Sequence, residues 1–486
     1  MKAHWWRVVL TCLLASSWLP ASAQTSPGGA SAASGWQELA TADLDAAYRL
    51  IRDSHPGAAE VLGDDAFRSS LERGHAAARA RIGQVDSFQG YAAVLAGFAT
   101  AFGDEHIWTN TKLRGVPYRW AGLVMSRQGG HWVVASQATD PVLSDTSSLE
   151  GATLVACDGT MAEEFAKERL AFRLSAPIEA QYVAHGGFLF VDDGNPFLAE
   201  PRSCTFEMDG NAFSYNLFWR PVATQELAKA LQAAVLPASA GFGLRQVDGL
   251  AWVSLERLDA NAEAVLEQIA ADRESLLGSP TIVVDVRGNG GGDSLYGRRL
   301  AALIYGQAFL DAKLSVSSVC GAVWRASEGN ARHLRALAAT ASDAAVASHY
   351  REIAARMDTA MSIGMPFESP IPTCEDNSHP AQVDARPDFQ GRVILLTDHS
   401  CFSSCLLLTQ DFLRLGALHV GTQTNAATRY MEVREIDLPS GLSTFSTLQK
   451  VAVGSKAEIG PFTPQIVSPV AIGDTPALEQ WLASLD

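Results

Sequence analysis

Three short stretches of this 486-residue sequence bring together residue types that could carry acyl transfer. The first is Thr281–Ser294, TIVVDVRGNGGGDS. Four β-prone residues, Thr281, Ile282, Val283 and Val284, run into Asp285-Val286-Arg287-Gly288-Asn289-Gly290-Gly291-Gly292. Glycines after a short apolar run let the backbone take φ > 0 and approach a ligand closely. N–H groups left free there could hold a phosphate, a carboxylate or an oxyanion. The second stretch is Asp398-His399-Ser400-Cys401-Phe402-Ser403-Ser404-Cys405, again a buried strand turning into a helix. A serine at the start of that helix projects its hydroxyl from the turn, and neighbouring N–H groups point at whatever it attacks. Ser400, Ser403 and Ser404 are the candidates, although serine in this place also suits a helix N-cap. A serine hydroxyl is a weak nucleophile at neutral pH and needs a base. The third stretch, Gly103-Asp104-Glu105-His106, offers a histidine at a helix-to-strand junction, where loops present catalytic groups.

The elements that must position these residues can be read from periodicity. Ser34–Arg114 is helical in pattern, with Trp36, Leu39, Leu44, Tyr48 and Ile51 at helical spacing and Asp43 as a cap. His55-Pro56-Gly57 breaks it, and Ala66–Ile82 and Ser87–Phe102 give two further helices. Tyr118–Val222 changes to short alternating strands: Ala121–Ser126, His131–Ser136, Thr153–Cys157, Cys204–Met208 and Phe213–Trp219. The strand ending at Cys157 meets an Asp158-Gly159 turn, and a helix follows near Met161–Leu170. This resembles a PDZ-like module, which takes an extended peptide as an added strand. From Gly241 strands alternate with helices: strand Leu250–Leu255, helix Asn261–Leu277, the glycine stretch, helix Leu295–Tyr305, strand Arg392–Thr397, helix Leu406–Leu415. Such alternation implies a sheet covered by helices. Residues 306–390 read as an insertion, with Ser327–Arg356 helical, and Ala477–Leu485 is a closing helix.

Length and composition set the frame. The chain exceeds one typical domain and predicts about two to four. Residues 1–23 read as a secretory signal: Lys2 and Arg7 precede the apolar run Val8–Leu14, and Ala21-Ser22-Ala23 precedes Gln24. Residues 24–35 are Gly/Ser/Ala-rich and read as a flexible tether. The chain is acidic, with net charge −16, which argues against a general basic field for nucleic acid or anionic lipid. No stretch beyond the signal is long and apolar enough to span a membrane. Cys157, Cys204, Cys320, Cys374, Cys401 and Cys405 remain after the signal, and an even number in an exported chain implies disulfides. Sequence order favours Cys157–Cys204, Cys320–Cys374 and Cys401–Cys405 among about fifteen connectivities. A CxxC pair and an HExxH are both lacking, so zinc is disfavoured, and no cofactor is implied. No GKS or GKT follows the glycines, as a P-loop would need.

The ordered set resembles the tail-specific (C-terminal processing) serine peptidase family. It consists of DVRGNGGG, then about a hundred residues later a strand–Ser–helix, and a late Glu-Xaa-Gly-Xaa-Xaa-Xaa-Pro. His106 in GDEH is similar to the histidine step of the branch that holds the tricorn core protease and interphotoreceptor retinoid-binding proteins. The resemblance covers roughly residues 37–486. It implies an α/β (α+β) multidomain chain with an N-terminal helical domain (36–115), a PDZ-like domain (116–224) and a crotonase/ClpP-like ββα core (240–486) with an insertion at about 310–390. It implies Ser403 as nucleophile, His106 as general base and Glu458 as the late glutamate completing a tetrad. It also implies an oxyanion hole from the N–H of Ser404 and of Gly290 or Gly291. The activity implied is serine-type peptide hydrolysis, periplasmic or secreted, on a peptide or protein substrate.

The sequence departs from that family at several points. Glu105 stands where tricorn has a serine, Leu406 stands where the family has a glutamate, and Thr428 stands where the Ser/Lys branch places its lysine. Lys313 and Lys450 have no lysine between them. Two competing readings follow. One is an inactive peptidase-like protein that binds a peptide or apolar ligand. The other is a GDSL-type esterase built on Gly292-Asp293-Ser294-Leu295, with Asp376-Asn377-Ser378-His379 supplying its Asp and His. Without the esterase, Ser294 is a helix cap.

Overall fold

The structure is a computed structural model that describes residues 29–112, 117–138, 148–234, 239–314, 320–374, 385–454 and 458–485. The signal segment 1–23 expected from the sequence therefore lies outside the described residues, as does Asp376–His379. Three helices open the chain: α1 (Gly29–Ser54), α2 (Asp65–Arg81) and α3 (Phe88–Ala99). Helix α1 begins inside the stretch read as a tether. Asp43 does not cap it. The residue is interior and buried, and its carboxylate accepts from the Tyr91 hydroxyl at 2.5 Å and the Ser440 N–H at 2.9 Å. The caps fall at Asp64, which accepts from the Phe67 N–H, and at Ser87, which accepts from the Gly90 N–H. A short strand, β1 (Thr109–Thr111), follows the histidine loop.

The middle segment is an antiparallel sheet, β2 (Leu123–Gln128), β3 (His131–Gln137), β4 (Thr153–Cys157), β5 (Ser203–Met208) and β6 (Asn211–Asn216), in that spatial order. Helix α4 (Ala162–Arg169) packs on it. Asp209 and Gly210 both have positive φ, 51° and 74°, the backbone that a two-residue hairpin between β5 and β6 requires. Cys157 and Cys204 face each other in register on β4 and β5 and are disulfide-bonded.

The last segment contains a six-stranded sheet in the order β7 (Phe242–Val247), β8 (Leu250–Leu255), β9 (Thr281–Asp285), β11 (Arg392–Thr397), β12 (Leu418–Gly421) and β15 (Ile466–Val467). Only the β7–β8 pair is antiparallel; the other pairs run parallel. Every residue of β8 and β9 is buried, as strands covered on both faces require. Alternate side chains separate by face. Ile282, Val284 and Leu395 join α5 (Ala260–Ala271), α6 (Ser294–Tyr305) and α9 (Ser404–Arg414), whereas Val283, Ile394 and Leu396 join α10 (Thr475–Ala483). The insertion supplies strand β10 (Gly321–Trp324) and the paired helices α7 (Glu328–Thr340) and α8 (Ala344–Ser362).

A second sheet ties the two ends of the chain together. Strands β13 (Tyr430–Asp437) and β14 (Ser443–Val453) form a hairpin, and β14 also pairs with β1 and β10. Leu44, Ile51, Tyr91 and Phe98 share one core with Tyr430, Phe445, Leu448 and Val451. The amino-terminal helices thus close their core on strands more than three hundred residues away, for example Thr109 opposite Phe445. Burying each of these large apolar side chains stabilises the fold by about 1.5–3 kcal/mol.

Candidate active site

Parallel neighbours β9 and β11 end side by side, with Asp285 opposite Leu396. The loop after each strand therefore emerges at the same edge, where open α/β sheets place their ligands. The glycine loop follows β9 and the serine turn follows β11. A buried ion pair roots the first. The Arg287 guanidinium donates to Asp285 through Nε at 2.9 Å and Nη2 at 2.7 Å, and through Nη1 to the Ile472 carbonyl at 2.8 Å. Trp252 Nε1 adds a bond to Asp285 at 3.2 Å. Asp398 then joins the two loops, because its Oδ1 accepts from the N–H of Gly288 and of Ser400, each at 3.1 Å. The Phe402 N–H reaches the Asn289 carbonyl at 3.2 Å.

Within this frame the three serines separate. Ser404 Oγ donates to the Gly292 carbonyl at 2.7 Å and so clamps the glycine loop. The Ser400 N–H is held by Asp398. Ser403 has φ 55° and ψ −124°, a left-handed backbone that a non-glycine residue adopts only where its surroundings enforce it. It stands immediately before α9, yet its side chain makes no cap bond. Among the described residues its hydroxyl has no hydrogen-bond partner. A Cβ on Gly291, whose φ is +100°, would stand 2.7 Å from Ser403 Cβ and 2.8 Å from the Phe402 carbonyl, so only glycine fits against the turn. The Gly291 N–H is already given to Asn289 Oδ1 at 2.8 Å. Among the described residues, the N–H groups of Gly290 and Ser404 have no acceptor.

His106 comes to this edge from the other end of the chain. Its carbonyl accepts from Ser446 Oγ at 2.9 Å, and the same hydroxyl accepts from the Trp108 N–H at 2.7 Å, fixing the loop against β14. The imidazole packs on the Phe402 ring, centroids 4.3 Å apart, so it lies against the residue preceding Ser403. Its Nδ1 is 2.7 Å from Asp104 Oδ1, which also accepts the His106 N–H at 2.9 Å. Asp104 Oδ2 accepts from the Thr428 hydroxyl and, at 3.3 Å, from the Thr428 N–H. Burial raises the Asp104 pKa, but the neighbouring His106 and the hydrogen bonds from His106 and Thr428 outweigh it and hold the carboxyl at about 2. A carboxylate so placed fixes Nδ1 as the protonated nitrogen and leaves Nε2 to take a proton.

Glu105 points elsewhere. Its Oε2 accepts from Asn425 Nδ2 at 2.7 Å, while Oε1 lies 4.0 Å from His185 Nε2. Burial pushes this carboxyl up to about 7 against the Asn425 bond and His106. Glu458 lies in a two-residue strand, opposite Thr428 in register; its side chain lies outside the described residues. Ser294 is far less engaged than its sequence setting implied. The cap of α6 is Asp293, whose Oδ1 accepts from the Leu295 N–H at 2.9 Å, and Ser294 is only the first helical residue. The structure thus brings Ser403, His106, Gly290, Gly291 and Ser404 to one edge. Asp104, Thr428, Asn289 and Asp398 join this frame through contacts that only the folded chain makes. For Asp104 the sequence offers only its place two residues before the histidine and just after Gly103. All three disulfides follow the sequence-order pairing: Cys157–Cys204, Cys320–Cys374 and Cys401–Cys405. Among the described residues, no group of three or more His, Cys, Asp or Glu side chains is arranged to hold a metal, and no helix is long and apolar enough to cross a membrane.

No family model matches the chain, and no curated protein matches it. Solved structures do. Mature CPAF complexed with lactacystin is 15% identical, with a TM-score of 0.56 over 92% of this chain and 97% of that one. Mature CPAF by itself gives 0.55 at 15% identity over 92% and 96%, and a CPAF mutant gives 0.54 at 14% over 92% and 95%. Identity this low speaks for architecture alone, and on that ground the chain is a mixed α/β multidomain protein with the fold of mature CPAF along nearly its whole length.

Proposed function

We propose that this protein is a serine-type peptidase that cleaves peptide bonds through an acyl-enzyme on Ser403. One observation carries the reading. A histidine fixed at Nδ1 by a buried carboxylate packs at a tilt against the residue before a serine whose strained turn leaves its hydroxyl unpartnered. In the proposed reaction Ser403 Oγ attacks the substrate carbonyl while His106 Nε2 takes its proton. Asp104 holds the tautomer and stabilises the imidazolium. The N–H groups of Gly290 and Ser404 receive the oxyanion, and each such donor is worth about 3 kcal/mol in the transition state. The imidazolium then protonates the leaving amine, and water, deprotonated by His106, releases the acyl group. In this reading Gly291 serves close approach rather than donation. Glu458 acts through the strand that presents Thr428 to Asp104.

The core is then crotonase/ClpP-like and the middle sheet a PDZ-like dock for an extended peptide. The three disulfides support an exported location, periplasmic or secreted. CPAF as a structural neighbour supports the same layout. The test is labelling of the purified protein with a fluorophosphonate probe. Wild type and Ser294→Ala should label, and Ser403→Ala and His106→Ala should not. Labelling that survives Ser403→Ala sinks the assignment, and loss confined to Ser294→Ala transfers it to the esterase reading. For the middle sheet, peptides with free carboxyl ends should bind better than amidated ones, and equal binding counts against a PDZ-like role.

A further inference from the structure

Cys401 and Cys405 lie two residues to either side of Ser403 and are joined by a disulfide with Cα atoms 5.3 Å apart. The other two bridges close separations of 47 and 54 positions; this one closes only 4, and both its cysteines belong to one turn. Its action is therefore local to the Ser403 turn. Hydrogen bonds anchor the flanks of that turn: the Cys401 carbonyl accepts from the Asn425 N–H at 3.1 Å, and the Cys405 N–H donates to the Phe402 carbonyl at 3.1 Å. Ser403 itself contributes no side-chain bond that would keep its φ at 55°. Both sulfurs are buried, and Cys401 Sγ lies 3.4 Å from Thr409 Oγ1 one helical turn into α9. Across the strained residue the disulfide adds a covalent bracket to two turn hydrogen bonds, Cys405 N–H to the Phe402 carbonyl and Leu406 N–H to the Ser403 carbonyl at 2.9 Å.

We infer that the Cys401–Cys405 disulfide is the positioning element that holds Ser403 in its attacking conformation, so that acyl transfer requires an oxidised chain; this rests on the reading of Ser403 as nucleophile. Reduction by a dithiol breaks the S–S bond and forms two S–H groups, with two electrons and two protons passing from the dithiol as it closes into its own disulfide. The freed cysteines then let Ser403 relax towards an unstrained backbone, and its hydroxyl swings away from His106 and from the N–H groups of Gly290 and Ser404.

The experiment compares fluorophosphonate inactivation of wild type, Cys401→Ala/Cys405→Ala and, as control, Cys320→Ala/Cys374→Ala in the insertion. The first double variant should lose at least tenfold in the maximal labelling rate with unchanged half-saturation by the probe and unchanged circular dichroism; the control should keep its rate. A rate within twofold of wild type overturns the inference. Should the variant not fold, the wild type is titrated with dithiothreitol and its thiols are alkylated and mapped. Labelling should vanish in step with alkylation of Cys401 and Cys405 and return on reoxidation. Labelling that persists on doubly alkylated protein overturns the inference while leaving Ser403 as nucleophile. Failure of the oxidised wild type to label overturns both.

Discussion

Replacing Asp104 by Asn removes one charge and almost no volume, and the structure gives its effect a size. Four donors converge on this buried carboxylate: the N–H and Nδ1 of His106 on one oxygen, and the N–H and hydroxyl of Thr428 on the other. Asparagine has a single acceptor oxygen, so its amide NH2 must face one pair. Facing His106, it selects the tautomer with a proton on Nε2, which cannot accept from Ser403. Facing Thr428, it sets donor against donor in a buried site. Loss of the charge-assisted bond alone is worth about 1.5–3 kcal/mol. A wrong tautomer in the related Ser-His-Asp arrangement costs about 10⁴ in rate, or about 5.5 kcal/mol. The expected fall in the fluorophosphonate labelling rate is about 10³–10⁴. A rate within tenfold of wild type, with circular dichroism unchanged, refutes the role of Asp104. The same residue gives a stability signature. Its carboxyl is held at about 2 against an ordinary 3.8. A depressed carboxylate contributes stability that is complete above the unfolded value and lost as pH falls through the folded one. About 2 kcal/mol should disappear between about pH 4 and pH 2 in wild type and not in the Asn variant.

Other perturbations probe the supporting frame. Gly291→Ala places a Cβ 2.7 Å from Ser403 Cβ at φ +100°; it should cost more than about 2 kcal/mol in urea unfolding and abolish labelling. Arg287→Met strands Asp285 without its buried partner and should cost about 3–5 kcal/mol by the same measurement. Glu105 accepts from Asn425 and lies near His185, with His106 and Asp104 as charged neighbours, and its carboxyl is raised from 4.5 to about 7, chiefly by burial. A raised carboxyl makes the fold lose stability as pH rises between those values, by up to about 3 kcal/mol. Glu105→Gln should flatten that interval, and an unchanged stability–pH curve would remove Glu105 from the groups that titrate there.

The parts of the site legible in the sequence were those written in local chemistry. Thr281–Asp285 announced a strand by its apolar run, and the glycines announced the sharp exit from it, because both signals act within a few residues. A strand–turn–helix rhythm of the same kind marks out Ser400, Ser403 and Ser404, and the family resemblance singles out Ser403 among them. The hairpin β13–β14 did not announce itself. Strand β14 is buried along nearly its whole length, yet it carries Ser443, Ser446, Thr447 and Gln449. Ser446 is satisfied only by the His106 carbonyl and the Trp108 loop, so the pattern reads as exposed until the tertiary pairing is known. Asp104 was missed for a related reason. Two residues before a histidine it resembles any loop aspartate, and the Thr428 donors that complete its setting lie 324 positions away.

The hydroxyl of Ser446 on the His106 carbonyl spans 340 positions of chain. During vectorial synthesis at about 5–20 residues per second, the ribosome needs about 17–70 s to travel from one to the other. Throughout that interval the nascent chain has its histidine and its aspartate but not the strand that seats them. Truncated translation products ending before Val453 would lack part of this strand. The order of translation therefore acts as a timer, and the seat of His106 cannot close until β14 has been made.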